Sequence, residues 1–235
     1  MRDSWRHFAA EFLGIFALVF VGGASIMSAT MSNIPPLVPA ALAHGIVLAV
    51  MVSATMRISG HFNPAITLGF LVTRRIEPMM AMMYIVAQLL GAVIAAYALK
   101  AVFPAGVAAA SHLGGQSISG DIGAGQAILC EAIATFILMF VVFGTAVDPQ
   151  APKVGGFAFG LAATANIFAI GTRTGASMNP ARSFGPAVAD KYFTGHAIYW
   201  IGPIIGACAA ALLYENLFLR RPKEPADHGA VQAQS

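Results

Sequence analysis

Charged residues are scarce in this sequence. They make up 10% of its 235 residues, while hydrophobic residues make up 58%. An ordinary soluble domain carries about 25% charged residues. The mean hydropathy of the chain is +0.75. The polar residues are too few to cover the surface of a soluble globular protein. We therefore expect the chain to lie in a lipid bilayer.

The sequence also lacks the residue clusters that several function classes need. Its two cysteines, Cys130 and Cys208, both lie in apolar runs, which favours buried free thiols over a disulfide. No cluster of metal-ligating residues and no nucleophile–base pair stands out, so we expect no metal, no cofactor and no enzymatic activity. No basic patch interleaved with aromatic residues stands out, so no nucleic-acid partner is expected.

Six long apolar stretches dominate the chain. Each has about 17 to 25 residues, which is enough for a helix to cross a hydrocarbon core of about 30 Å. They are Phe8–Ser28, Leu37–Met56, Met79–Phe103, Gly125–Val147, Val154–Ile170 and Ile198–Leu219. The first follows two arginines, contains Glu11 and has no small-residue cleavage site after it, so we interpret it as a retained helix.

The basic residues predict how the chain is oriented. Nine of them fall on the side of both termini and three on the other side, with Arg182 considered separately. The positive-inside rule therefore predicts that both termini are cytoplasmic. The plasma membrane is the expected location. Residues 220–235 are rich in proline, charge and alanine, and they are predicted to form a disordered cytoplasmic tail.

The chain contains an internal repeat. An Asn-Pro-Ala triplet follows Glu11 by 52 residues, and a second follows Glu131 by 48 residues. Each half has three spans, an odd number, so the two halves must enter the membrane in opposite orientations. We therefore expect one channel domain, 1–219, built from inverted repeats at about 8–103 and 125–219, with a solute site near the membrane midplane.

The two triplets predict two short helices. They are Asn63-Pro64-Ala65 and Asn179-Pro180-Ala181. Asparagine is a good N-cap and proline is favoured at the first helical position, so helices are expected from Asn63 to about Thr73 and from Asn179 to about Ala189. Ten residues span about 15 Å, half of the hydrocarbon core. Two such half-helices would meet at the midplane beside a water-filled cavity.

The N-termini of the two half-helices would make the electrostatic potential positive where they meet at the midplane. Each start contributes about half a positive charge, and the amides of Asn63 and Asn179 can donate hydrogen bonds to a passing oxygen. A water held by both donors cannot accept hydrogen bonds from its neighbours in a continuous chain. We therefore expect protons and cations to be excluded there.

Glu11 and Glu131 are acidic residues inside apolar spans, which marks both as functional candidates. One interpretation is that they relay protons. The other is that each anchors backbone N–H groups of the half-helix loop in its own repeat. Their equivalent positions in the two repeats favour anchoring.

With these residues in place, the sequence resembles the aquaporin family across Phe8–Leu219. The resemblance is strongest in Ile58–Ala65, with the sequence ISGHFNPA, and in Ser177–Ser183, with the sequence SMNPARS. It implies an all-α integral membrane fold: a right-handed bundle of six transmembrane helices with two re-entrant half-helices in an inverted repeat. It also implies a homotetramer with one pore in each subunit.

The resemblance further implies a selectivity filter on the far side of the asparagines. Its four residues would be His44, Ile167, Ala176 and Arg182, of which Arg182 would repel cations and hydrogen-bond the solute. Strict water channels usually carry phenylalanine, histidine, a small residue and arginine. The set in this sequence is instead similar to plant tonoplast intrinsic proteins and to the ammonia-permeable animal branch. It implies a wider ring with one apolar wall.

Two further positions bear on the solute. Ser183 stands where glycerol channels usually carry aspartate, which argues against a dedicated glycerol channel. His112 lies in the connection Pro104–Asp121. It is either an additional filter residue, as in some tonoplast-type proteins, or a solvated loop histidine.

The predicted function is a passive channel for water and small neutral solutes, including ammonia, that excludes protons and ions. Urea, hydrogen peroxide and neutral metalloid acids stay open as further solutes. A secondary transporter would need a coupling-ion site, but no carboxylate pair lies near the half-helix starts. A structural adhesion protein would not need Arg182 aligned with two asparagines.

Overall fold

The computed structural model describes residues 4–219, and the predicted tail at 220–235 lies outside this range. The described part of the chain is helical and contains no strand. Its α-helices in chain order are α1 (Ser4–Met31), α2 (Leu37–Thr55), α3 (Pro64–Val72), α4 (Pro78–Val102), α5 (Ala105–Ala110), α6 (Ala124–Val142), α7 (Phe157–Thr174), α8 (Pro180–Asp190) and α9 (Ile198–Leu217). A 3₁₀ turn occupies His112–Gly114, and a π-helical turn, Phe143–Val147, continues α6.

The six predicted spans correspond to the six long helices. Five of these, α1, α2, α4, α6 with its π-helical turn, and α9, are long and apolar enough to cross a membrane on length and composition alone. The fifth predicted span, α7, has 18 residues and carries Asn166 and Arg173 along its length. The helix begins three residues later than predicted and continues to Thr174.

The two half-helices are α3 and α8, as the triplets predicted. Each packs mainly on the third long helix of the opposite repeat, since α3 lies against α9 and α8 lies against α4. Within each repeat, the first and third long helices pack together, α1 against α4 and α6 against α9, while α2 and α7 pack across the repeats. This arrangement interlocks the repeats around the helix starts.

Two glycines permit the close packing of the first and third helices in each repeat. A Cβ added at Gly91 would lie 2.5 Å from the carbonyl oxygen of Phe12. A Cβ added at Gly206 would overlap the carbonyl oxygen of Ala132. Phe12 and Ala132 each follow the acidic residue of their repeat, so the same backbone contact occurs twice in symmetry-related places.

Both ends of the described chain lie on one face, which we call the terminal face. Near the start of α1, His7 Nδ1 lies 2.7 Å from the hydroxyl of Tyr84 in the second turn of α4. Near the end of α9, Glu215 forms an ion pair of 2.7 Å with Arg75, which precedes α4. The connection between α4 and α6 lies on the opposite face.

Candidate channel pore

The asparagines of the two triplets cap the half-helices as predicted. Asn63 Oδ1 accepts a hydrogen bond from the backbone N–H of Ala65 at 2.9 Å. Asn179 Oδ1 accepts from Ala181 N at 3.0 Å and from Arg182 N at 3.2 Å. Pro64 and Pro180 occupy the first helical positions, where no backbone N–H is needed.

The two caps are also bonded across the repeats. Asn63 Nδ2 donates to the carbonyl of Met178 at 2.7 Å, and Asn179 Nδ2 donates to the carbonyl of Phe62 at 2.8 Å. Both accepting residues have left-handed backbones, with φ of 54° and 49°. Because an amide group has two N–H donors, each asparagine keeps one donor for a passing solute.

Glu11 makes the contacts expected of an anchor. Its carboxylate is fully buried. It accepts hydrogen bonds from the backbone N–H groups of His61 and Phe62 at 2.8 and 2.7 Å. The side chains of Ser59 and Gln88 also donate to it.

Glu131 makes equivalent contacts in the second repeat. It accepts from the backbone N–H groups of Ser177 and Met178 at 2.9 and 2.7 Å, and from the hydroxyl of Thr174 at 2.7 Å. Like Glu11, it is not among the residues that line the pore. Each carboxylate therefore holds the loop that precedes the half-helix of its own repeat.

The pore consists of three adjoining cavities. A pore entrance on the terminal face shares with the central cavity the residues Gly60, His61, Ile66, Val142 and Phe159. The central cavity shares Ile167 and Arg182 with a vestibule on the opposite face. Asn63 and Asn179 both line the central cavity. A lined path therefore runs from one face to the other past both helix starts.

The four predicted filter residues all line the central cavity. His44, Ile167, Ala176 and Arg182 come from α2, α7, the loop before α8, and α8, and each is buried. Ala176 has a left-handed backbone with φ of 47°. The fold thus brings together positions that are up to 138 residues apart in the sequence.

His44 and Arg182 form a hydrogen-bonded pair within this ring. Arg182 Nε and Nη2 lie 3.2 and 3.1 Å from His44 Nε2. His44 Nδ1 lies 2.8 Å from the carbonyl oxygen of Ala40. Since a guanidinium only donates and a carbonyl only accepts, the proton of this neutral imidazole is on Nδ1. Arg182 Nη1 has no hydrogen-bond partner in the described part of the protein.

His61 lines both the pore entrance and the central cavity. Its ring packs on Phe70 at a centroid distance of 4.4 Å and meets the edge of Tyr84 at 5.1 Å. Its Nδ1 lies 3.1 Å from the hydroxyl of Thr67. The ring is therefore packed in place while it faces the pore.

The structure separates His112 from the four filter residues. Its Nδ1 lies 2.7 Å from Asp190 Oδ2, and its ring stacks on Tyr192 at 4.1 Å. It lines a side cavity beside α8 instead of the pore. The pairing with Asp190 at the end of α8 turns it away from Arg182.

Gln116 is the loop residue that reaches the vestibule, and sequence reasoning missed it. It is 6% exposed and lines both the vestibule and the side cavity. Neither its amide nitrogen nor its amide oxygen has a partner in the described part of the chain. The available signal was a lone amide side chain directly after Gly114-Gly115 in an otherwise small-residue loop.

The loop next to Gln116 is fastened to the end of α7. Ser119 N donates to the carbonyl of Arg173 at 2.9 Å, and Arg173 Nη1 lies 2.8 Å from Asp121 Oδ2. Hydrogen bonds from Ser119 and Arg173 lower the pKa of the Asp121 carboxyl.

Within residues 4–219, no group of three or more potential metal-ligating side chains is present.

Comparison with known proteins agrees with this architecture. The profile of the major intrinsic protein family matches residues 1–214. The chain is 41% identical to Aquaporin TIP2-1 of Arabidopsis thaliana, over 92% of this chain and 88% of that protein. It is also 41% identical to Aquaporin TIP1-2 of Zea mays, over 94% and 90% of the two chains.

A solved structure shares the fold. The aquaglyceroporin from Plasmodium falciparum superposes with a TM-score of 0.79, covering 91% of this chain and 96% of that one, at 23% sequence identity. All-helical structure, six long helices and two half-helices thus form the expected aquaporin fold.

The expectation of a plasma-membrane location is wrong. The similar proteins are tonoplast intrinsic proteins, whose name refers to the vacuolar membrane. A bias of basic residues orients a chain relative to the cytosol, but it does not distinguish one membrane from another. Only the integral-membrane part of that expectation holds. The chain belongs to the major intrinsic protein family, the aquaporins, and is a passive membrane channel for water and small solutes, not an enzyme.

Proposed function

We propose that this channel conducts ammonia together with water and excludes protons and ions. The observation that carries the proposal is the hydrogen bond between Arg182 and His44, which leaves Ile167 and Ala176 as the other walls of the filter. A strict water filter would have an aromatic side chain and a second polar side chain among its four residues.

The filter offers few hydrogen bonds to a solute. His44 Nε2 is occupied by Arg182 and His44 Nδ1 by Ala40, so the imidazole has no spare donor or acceptor. Arg182 Nη1 has no partner in the described part of the protein, so its N–H groups are open to a solute. Burying a polar group without a hydrogen bond is costly, so a solute that accepts one bond and tolerates an apolar wall is favoured. Ammonia meets both conditions.

Charge selection rests on a different part of the same ring. Arg182 is 5% exposed and has no direct ion-pair partner among the described residues, so its positive charge acts on solutes in the pore. Ammonium and other cations must pass this charge in a narrow, largely apolar path, where Coulomb interactions are poorly screened. Ammonia carries no charge and avoids this barrier.

Proton exclusion is proposed to rest on the helix starts. Asn63 and Asn179 each retain one amide donor beside the central cavity, and both N-termini of the half-helices point there. A water that accepts from both amides turns its hydrogens outward. It then breaks the chain of water-to-water hydrogen bonds along which protons would move.

We also propose that the subunits form a homotetramer, as the family resemblance implies. The outer helix faces carry large exposed apolar side chains, such as Ile46 and Val50 of α2 and Leu161 of α7. Such faces need lipid or another subunit to cover them. Light scattering of the purified protein in detergent, corrected for bound detergent, gives the subunit number directly.

The test of solute range uses proteoliposomes with an internal pH dye. After a jump to ammonium chloride, internal alkalinisation should be faster than in protein-free liposomes of the same composition, while osmotic shrinkage shows water flow. Under a proton gradient, the internal pH should change no faster than it does in protein-free liposomes. Alkalinisation at the bare-lipid rate alongside fast water flow would restrict the channel to water.

A further inference from the structure

We propose that Thr67 fixes the proton of His61 on Nδ1, so that His61 Nε2 accepts hydrogen bonds from solutes in the pore. His61 lines the pore entrance and the central cavity, whereas Thr67 is fully buried in α3 and lines neither. Thr67 is thus a positioning residue, and His61 is the residue that contacts the solute. This role requires only that water passes the channel, and it does not depend on the passage of ammonia.

The hydroxyl of Thr67 has three hydrogen-bonding neighbours. It donates to the carbonyl of Asn63 at 3.0 Å and accepts from Gln88 Nε2 at 3.0 Å. His61 Nδ1 lies 3.1 Å from the same oxygen. A hydroxyl has one proton and two lone pairs, and a carbonyl only accepts. Because the proton is committed to Asn63, the hydroxyl oxygen can only accept from His61.

Glu11 fixes the orientation of the Gln88 amide. Gln88 Nε2 lies 2.6 Å from Glu11 Oε2, an oxygen that also accepts from the backbone N–H of Phe62. The nitrogen of the amide, and not its oxygen, must therefore face both Glu11 and Thr67. Gln88 Oε1 is left buried without a partner in the described part of the chain. Such an acceptor is costly, and the two bonds made by the nitrogen offset that cost.

The neutral imidazole of His61 therefore carries its proton on Nδ1 and keeps Nε2 as an acceptor. No carboxylate among the described residues pairs with the ring, and the positive N-terminus of α3 begins at Pro64, which favours the neutral form. Nε2 has no hydrogen-bond partner in residues 4–219, and other atoms do not seal it off. Since His61 lines two pore cavities, this nitrogen is open to the pore.

The link between these two positions occurs in both repeats. His61 and Thr67 lie two residues before and four residues after Asn63, and Ser177 and Ser183 lie at the same distances from Asn179. The hydroxyls of Ser177 and Ser183 are hydrogen-bonded to each other, and Ser177 also lines the central cavity. Each half-helix therefore holds a pore-lining side chain of the loop before it.

An acceptor at His61 complements the asparagine amides, whose free N–H groups donate. His61 also lines the pore entrance, so it lies nearer the terminal face than Asn63, which lines only the central cavity. A water bound to Nε2 points a hydrogen away from the asparagines. This is the orientation that a water has on the terminal side of Asn63 and Asn179. A proton on Nε2 would oppose it and slow the passage of water.

Nitrogen-15 NMR of the protein in lipid bilayers tests the position of the proton. The histidine ring nitrogens are labelled, and the His61→Phe spectrum identifies the signals of His61 among the six histidines. We expect a protonated Nδ1 and an unprotonated Nε2 in the parent at neutral pH. In Thr67→Val the Nδ1 proton loses its acceptor, so the form protonated on Nε2 should appear. A parent protein protonated on Nε2 would overturn the proposal.

Water permeability of the same variants in proteoliposomes tests the effect on the pore. One hydrogen bond typically changes a rate by about fivefold, so Thr67→Val should pass water about fivefold more slowly than the parent. Thr67→Ser keeps the hydroxyl and should restore both the proton position and the permeability. The matched control is Thr73→Val, because Thr73 bonds only to carbonyls at the end of the same half-helix and does not line the pore.

The two measurements together separate a positioning role of Thr67 from a structural one. Slow water passage in Thr67→Val with the proton still on Nδ1 would indicate a structural role and overturn the proposal. A proton moved to Nε2 with full permeability would overturn it as well, as would an equal loss in Thr73→Val. If Thr67→Val does not fold, the parent spectrum and the permeability of His61→Phe decide. Parent-like permeability of His61→Phe would exclude a solute contact at this ring.

Discussion

Arg182 of α8 and His44 of α2 are joined by two N–H donors converging on one imidazole nitrogen, at 3.2 and 3.1 Å. The pair links the two repeats where the central cavity adjoins the vestibule. It holds the guanidinium to one side of the ring and uses up the acceptor of the histidine. The size and polarity of the opening are therefore determined by both residues together.

The first prediction concerns ammonia. His44→Phe with Ile167→His should restore a narrow, polar filter and reduce ammonia flux far more than water flux, because the apolar wall is lost and the ring is narrowed. Internal alkalinisation after an ammonium chloride jump, compared with osmotic shrinkage, measures the two fluxes. Val50→Phe is the control, since Val50 lies on the outside of α2 with 56% exposure. An unchanged flux ratio in the double variant would contradict the proposed filter.

The second prediction concerns Arg182. Arg182→Val should preserve the fold while it raises leakage of small cations, since the positive charge beside the pore is removed. Potassium and proton leakage from dye-loaded proteoliposomes measures the effect. Arg173→Gln, on α7 but outside the central cavity, is the control. If Arg182→Val vesicles remain as tight to cations as the parent, the half-helix starts alone form the barrier.

The third prediction concerns the buried anchors. Glu131→Gln keeps one acceptor oxygen but replaces the other with an N–H₂ group, which then faces the backbone N–H of either Ser177 or Met178, since these bond to different oxygens. A buried donor without an acceptor costs about 1–3 kcal/mol, so thermal stability and water permeability should both fall. Glu77→Gln, at an exposed position on the terminal face, should change neither. A variant with normal permeability would show that the loop does not need this carboxylate.

The fourth prediction concerns the contact of α9 with α6. Gly206→Val should destabilise the protein by at least about 1–3 kcal/mol, because the new side chain overlaps the backbone at Ala132. Gly125→Ala is the control, as a Cβ there meets no atom within 4 Å. Thermal unfolding of the two purified variants gives the comparison. Equal midpoints would mean that the helices can move apart at little cost.

The fifth prediction concerns pH and the loop beside the vestibule. The pKa of Asp121 is lowered in the folded protein by Ser119 and Arg173. The Asp121 carboxylate therefore stabilises the folded protein above the ordinary aspartate pKa. This stabilisation is lost as the pH falls through the lower pKa that Asp121 has in the folded protein. The unfolding midpoint of Asp121→Asn should lie below that of the parent at neutral pH and converge with it in strong acid. A gap that persists in strong acid would contradict this.

The local sequence determined the parts of the pore that depend on neighbouring residues. Asparagine followed by proline specifies a capped helix start by short-range bonds, and both half-helices begin at Pro64 and Pro180 as predicted. The apolar runs predicted six long helices, since no other structure satisfies backbone groups in lipid. Equivalent positions of Glu11 and Glu131 indicated anchoring because a repeat reuses the same contacts.

Other features depended on residues that only folding brings together. From the sequence, His112 was either an additional filter residue or a solvated loop histidine; in the structure it pairs with Asp190 and lines a side cavity, while Gln116 reaches the vestibule. The bonds from Asn63 to Met178 and from Asn179 to Phe62 join segments more than 100 residues apart. The sequence by itself therefore determined the helices, the caps and the family. The tertiary structure decided which side chains face the pore, because that depends on how the two repeats pack against each other.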